Sequence, residues 1–329
     1  MKINDYSKEN LKKIGNTAGY FVGIISGAIG IYEYLSEDQP NIYVYTIFRV
    51  VFIFSIAVAI AVSIIYAIKL FMSVDAVKIG CEKNLQSIFI SLHKIFHSVR
   101  DCTSQIKRKK VDKEFLEASS KNICDAISEL FQTIFNEQAA VCIKLTNTNS
   151  ISNKDIDQWK LETIARSNST NPDRSAYDSK DCYVKDNSDF YIIVSDSYKD
   201  NLFASQNLQN INDTFREVYH MEYRNSRTLE NGTDYLEYYH STIVVPIRIK
   251  RCNVSKILAM PEGIDYHILG FLCIDSMSEF DKNKTELFNS GIEIAKSLAD
   301  SLYHLYESYL IREIEEKSAN SKLKTEEEK

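Results

Sequence analysis

No C-x-x-C pair occurs in this chain, and its seven cysteines, Cys81, Cys102, Cys124, Cys142, Cys182, Cys252 and Cys273, are odd in number and widely spaced. That pattern argues against a disulfide framework and against a structural zinc site. Catalytic signatures are missing too: there is no G-x-x-x-x-G-K-[ST] phosphate loop, no G-x-S-x-G nucleophile elbow and no H-E-x-x-H helix. The chain is therefore expected not to be an enzyme, with no catalytic residue, no bound metal and no cofactor that the sequence names. Nor is there an extended basic face, since 39 Lys and Arg stand against 45 Asp and Glu, a net charge of -6. A phosphate backbone needs a run of cations, so nucleic acid is not an expected partner.

What the chain has is apolar length at one end. Residues 14–32 and 50–68 are two uncharged stretches of nineteen residues each, close to the roughly 20 that cross ~30 Å of hydrocarbon. The second, VVFIFSIAVAIAVSIIYAI, has no polar face with which to lie on a folded domain. Lys2, Lys8, Lys12 and Lys13 precede the first stretch, and Lys69, Lys78 and Lys83 follow the second, while Glu33, Glu37 and Asp38 mark the turn between them. By the positive-inside rule this is a two-helix transmembrane hairpin, residues 14–72, with both termini cytoplasmic in a cell inner membrane. Arg49 sits at the outer end of the second helix, within snorkelling reach of headgroups. Gly15, Gly19, Gly23 and Gly27 recur every four residues, a small-residue stripe that packs against the second helix or against another protomer.

Residues 73–110 read as a helical stalk. Cys81, Leu85, Ile88, Leu92, Ile95, Val99, Cys102 and Ile106 alternate spacings of four and three, which is a coiled-coil seam and suggests a parallel homodimer. Phe89, Ile90 and Phe96 fall outside that seam, so a helix packed broadly on other helices stays open as the alternative. His93 and His97 lie one turn apart on the face away from the seam. The cluster Lys107, Arg108, Lys109 and Lys110 reads as a solvated break before a second helix carrying Leu116, Ile123, Ile127, Leu130 and Ile134.

From Ala139 the texture changes to short apolar strands between polar loops: AAVCIKLTN, WKLETIARS, YHSTIVVPIRI and HILGFLCIDS. One long helix, Lys284 to about Lys317, closes the chain, with Leu287, Ile294, Leu298, Leu302, Leu305 and Tyr309 along an apolar face. The class is α+β, with residues 1–13 an N-terminal segment, 111–312 the folded domain and 313–329 a charged tail. The order STIVVPIRI, loop, ILGFLCIDSMSEFDKNKTELF, helix resembles the second half of a GAF domain, with Pro246, Gly270, Asp275 and Phe280 at its marked places. The resemblance implies an antiparallel sheet with helices on one face and a small-molecule pocket on the other. The cyclic-nucleotide signature of that family is incomplete: Asn283, Lys284 and Phe288 resemble its start, but Ile292 and Glu293 stand where Asp-Glu belongs.

By the same resemblance the pocket wall is the polar middle segment, 191–239, whose aromatic residues include Phe203, Phe215, Tyr219, Tyr223, Tyr235, Tyr238 and Tyr239. Phe203, Tyr219, Tyr223, Tyr239 and Ser241 are the expected ligand contacts, against the alternative that the tyrosines only cover the sheet. Two functions remain. One is a membrane-anchored sensor that binds a small molecule or partner and signals through the stalk to a separate output protein. The other is a defence-type effector whose glycine-striped helices cluster and perturb the bilayer.

Overall fold

The computed structural model describes residues 84–108, 111–147, 156–178, 182–195, 202–226, 235–255, 265–279 and 285–327, with single positions at 46, 50 and 258. The expected transmembrane hairpin, with Gly15, Gly19, Gly23 and Gly27, lies outside the described residues, as do Phe280, Asn283 and Lys284. Among the described residues no helix is long and apolar enough to cross a membrane.

All four strands read from the sequence are present: β1 (Ala139–Thr146), β2 (Lys160–Arg166), β5 (Ser241–Lys250) and β6 (Tyr266–Ser276). Two very short strands, β3 (Cys182–Tyr183) and β4 (Phe203–Ser205), complete an antiparallel sheet of order β3-β2-β1-β6-β5-β4. Both faces of its centre are covered, so β5 and β6 are apolar nearly throughout rather than alternating. Pro246 lies beyond Val244, the last β5 residue paired to β4, where a missing N–H breaks no outer ladder among the described residues. A bulge between β5 and β6 pairs Ile247 with Gly270 and Arg248 with Ile268, skipping Leu269. Leu269 thereby joins Leu272 and Ile274 on the same side of the sheet.

That side is the helix side. Helix α1 (84–108), α2 (Lys113–Phe135) and α5 (Thr285–Glu327) share one core with Val141, Ile143, Ile243, Val245 and Ile247. Asp112 starts α2 by accepting a hydrogen bond from the Phe115 N–H at 2.8 Å, and Asn136 ends it in the left-handed region at φ 55°. The residues α2 buries are those its spacing marked, Leu116, Ile123, Ile127, Leu130 and Ile134 among them. Gly291 lets α5 close over α2, because a Cβ there would come within 2.6 Å of the Phe135 ring.

The stalk pattern resolves in favour of its second reading. Ile95, Val99, Cys102 and Ile106 are buried in the chain's own helix-side core, with Ile88 and Leu92 packed at its edge. Arg312 of α5 donates from Nη1 to the Ile106 carbonyl at 2.7 Å, tying the end of α1 to the closing helix. A parallel-dimer seam along this whole helix is thus not what the fold provides: its C-terminal half is occupied within the chain. Helix α5 continues through the charged residues after 312 to Glu327.

Candidate ligand-binding site

Strand residues that point away from the helices meet a cover built from α3 (Ser188–Val194), α4 (Ile211–Val218) and the 3-10 turns. Aromatics dominate this second core. Phe203, Phe215 and Tyr223 touch one another at ring-centroid distances of 5.0 to 6.2 Å. Tyr219 packs against Phe215 in a tilted pair at 4.8 Å, and Tyr235 links Tyr223 to Tyr239 at 5.3 and 6.1 Å. Offset and edge-on pairs of this kind add to the area they bury, so these rings fill space with each other rather than lining a void.

Beside the aromatic cluster lies a small polar cavity of about 50 Å³. Its floor is Cys142 and Lys144 from β1, Arg166 from β2, and Cys273 and Asp275 from β6. Arg174, Asn187, Asp189, Asn225 and Tyr239 close it from the cover. Cys142 and Cys273 are direct cross-strand partners, and both are buried free thiols. Burial pushes the Cys273 thiol well above its ordinary range.

Charge is concentrated here to a degree unusual for a protein interior. Arg174 donates from Nη1 to Asp275 Oδ2 at 2.8 Å, both side chains at or below 10% exposure, and its guanidinium lies 5.0 Å over the Tyr239 ring. Thr242 donates to the other Asp275 oxygen at 2.6 Å, so the carboxylate is satisfied on both sides. Arg166 binds Asp178 through Nε and Nη2 at 2.7 to 3.1 Å. Its side chain is 7% exposed, and its Nη1 is buried and meets no hydrogen-bond acceptor among the described residues. Lys144 donates to Thr163 Oγ1 at 3.2 Å and lies 3.9 Å from Cys182 Sγ. Burial pushes Asp189 up to about 7; the Phe190 N–H on its Oδ1 at 2.9 Å and the charge of Lys144 act against that, and Asp275 adds to it.

Of the five expected ligand contacts, only Tyr239 lines this cavity, where its hydroxyl accepts from Asn225 Nδ2 at 2.7 Å. Phe203 and Tyr223 are interior members of the aromatic core, and Tyr219 packs at its edge. Ser241 is fully buried at the start of β5, where its hydroxyl donates to the Ser278 carbonyl at 2.8 Å. Lys144, Arg166, Arg174 and Asp189 escaped sequence reading. The available signal was a lone charge inside an apolar strand, as in Lys144 of AAVCIKLT; Asp275 was marked by the GAF resemblance, but its role as the acceptor for Arg174 and Thr242 was not. His93 and His97 sit in edge contact at 4.2 Å between ring centroids on α1, away from this face. A larger depression of about 510 Å³ lies against α5 at the Lys250 end of β5, but Lys250, Asp300 and His304 on its walls are exposed.

The sequence matches no family model and no curated relative. Among solved structures it is similar to the GAF domain of an Acinetobacter phosphoenolpyruvate-protein phosphotransferase, at 10% identity and TM-score 0.31 over 64% of this chain and 93% of that one. It is also similar to the Thermosynechococcus elongatus PixJ GAF domain in its blue-light absorbing form, at 10% identity and TM-score 0.30 over 62% and 94%. A phycoerythrobilin-bound GAF domain from a cyanobacterial phytochrome is similar at 14% identity and TM-score 0.29 over 64% and 95%. The C-terminal region is GAF-like in its own features: a six-stranded antiparallel sheet, helices on one face, a cover on the other and a long closing helix.

Proposed function

We infer that residues 111–312 are a sensory domain that binds a small molecule in the cavity between the sheet and its cover, and that the N-terminal hairpin holds this domain at a cytoplasmic membrane face. The observation that carries the reading is the cluster of Lys144, Arg166, Arg174, Asp189 and Asp275 lining about 50 Å³ of space. Buried charge costs stability unless paired, and packing alone would favour apolar residues at these positions. Perturbed ionisable groups gathered in one cavity are a common mark of a binding site. Signal output runs through α1 and α5, which meet at the Arg312–Ile106 hydrogen bond and leave the domain on its helix side. No catalytic role is assigned to any residue.

The test is native mass spectrometry of the full-length chain purified in detergent. A small molecule retained by the wild type and lost in Arg174→Met is the expected result. If both release nothing and the wild type shows no stabilisation across a metabolite library, the sensory reading fails. Overexpression that arrests growth and collapses the membrane potential, dependent on Gly19 and Gly23, would instead establish the effector.

A further inference from the structure

We propose that the cavity is selective for a small monoanion of about four heavy atoms, a monocarboxylate or a planar inorganic oxyanion, held by the free edge of the Arg166 guanidinium and by Lys144. This rests on the ligand-binding reading above and narrows it to a chemical class.

The first support is an unfilled donor. Arg166 is nine-tenths buried, two of its nitrogens are committed to Asp178, and Nη1 has no acceptor among the described residues. A buried guanidinium N–H without an acceptor is costly, and an oxygen of an anion in the cavity satisfies it. The second is charge balance. Lys144, Arg166 and Arg174 bring three cations, while Asp178 and Asp275 are each committed to one of the arginines. While Asp189 is protonated, Lys144, whose Nζ partners are a hydroxyl and a thiol, therefore leaves one positive charge to be met. The third is size. One water needs about 10–15 Å³ of such volume, so about 50 Å³ takes formate, nitrate, bicarbonate or acetate and excludes a nucleotide or a tetrapyrrole.

Asp189 makes the binding depend on pH. Around it stand Lys144 from β1, Arg166 from β2, Cys273 and Asp275 from β6, Arg174 from the 172–177 turn and Tyr223 from the cover. Protonated, Asp189 offers the anion an O–H; ionised, it cancels the charge that Lys144 supplies. With its carboxyl held at about 7, the protonated fraction falls about tenfold between pH 6 and pH 8. Affinity for the anion follows it.

The experiment titrates the full-length chain in detergent with sodium formate, acetate and nitrate against sodium chloride at constant ionic strength, reading the fluorescence of the lone tryptophan, Trp159, and the thermal midpoint. Trp159 belongs to the cover-side core. A saturable change is expected, with an apparent affinity about tenfold greater at pH 6 than at pH 8. Asp189→Asn is expected to bind equally at both, and Lys144→Met to lose the response. The proposal is overturned if none of the three anions gives a saturable change, or if acetamide matches acetate. It is also overturned if Lys144→Met binds like the wild type. A neutral or cationic molecule retained in native mass spectra without any anion response would leave the ligand-binding reading standing and sink the anion class alone, whereas no ligand of any kind would sink both.

Discussion

Gly270 shows how narrow the tolerances of single positions are. A Cβ there would lie 2.0 Å from the Lys144 carbonyl oxygen and 2.8 Å from Leu145 Cα, both backbone atoms of β1. Gly270→Ala must therefore separate β6 from β1 beside the cavity floor, and we expect urea unfolding to show a loss of about 1–3 kcal/mol. Arg174→Met leaves Asp275 buried without its cation, a change worth about 3–5 kcal/mol; Arg174→Met with Asp275→Leu is expected to recover most of it. Two buried groups give opposing pH dependence. His267, bonded through Nδ1 to the Tyr303 hydroxyl at 2.8 Å, is lowered by burial from 6.5 to about 4. It takes up a proton on unfolding within that window, so its contribution is lost as pH falls from about 6.5 to 4. Asp189 is raised from 3.8 to about 7, so its contribution is present below the lower value and lost as pH rises through the upper one. The wild type is expected to be nearly flat between these limits and Asp189→Asn to gain stability with rising pH. A urea midpoint that falls with pH in Asp189→Asn would contradict this.

Among the elements, α1 divides its labour along its length. Its second half is core: Ile106 is fully buried and Ile95 is 1% exposed. Its first two turns present Leu85 and Phe89 at 50% and 66% exposure, and Phe96, off the buried seam, is 38% exposed. Ile106→Ala is expected to cost the fold about 2–5 kcal/mol, independent of protein concentration, because the contacts it removes lie within one chain. Phe89→Ser is expected to leave stability unchanged, and light scattering before and after that substitution shows whether this stripe associates with another protomer. A concentration-dependent midpoint in Ile106→Ala would mean that α1 docks between chains instead. The closing helix spans 43 residues, roughly 65 Å at the helical rise. Beyond Arg312 its last turns carry exposed i,i+4 pairs such as Lys317–Glu313, worth only a few tenths of a kcal/mol. That part of α5 is expected to exchange its amide hydrogens well before the stretch around Tyr303 and Tyr306.

For the molecule as a whole, the arrangement proposed from charge bias is a sensor hung beneath a membrane hairpin. A cysteine placed at Gln39 is expected to react with an impermeant thiol reagent on intact cells and one at Ser321 to be protected; the reverse pattern would invert the orientation. With both α1 and α5 packed on the same sheet face, the sheet is one route from the cover to the helices, and the 168–169 loop, where Asn168 bonds Asp125 and Ser169 bonds Ser128 of α2, is another. Val244 and Val245 of β5 are neighbours that face the two cores separately, so coupling across the sheet requires β5 to shift as a unit. Hydrogen exchange of β5 amides with and without ligand measures that coupling.

The sequence by itself determined the periodic elements. Strands β1, β5 and β6 were legible because burial on both faces turned them into apolar runs, β2 because its few apolar residues stand between polar loops, and α2 and α5 because a helix face repeats every three or four residues. β3 and β4 were not legible, since strands of two and three residues carry no period. Tertiary structure alone decided two things. It turned the heptad pattern of α1 into an intrachain contact, because the same apolar spacing suits a second copy or a neighbouring helix and only the fold shows which surface is in reach. It also moved the candidate site from the aromatic segment to the charges beside it. Rings gain most by burying area against each other, whereas Lys144, Arg166, Asp189 and Asp275, scattered along the chain, become one site only when β1, β2, β6 and the cover are brought together.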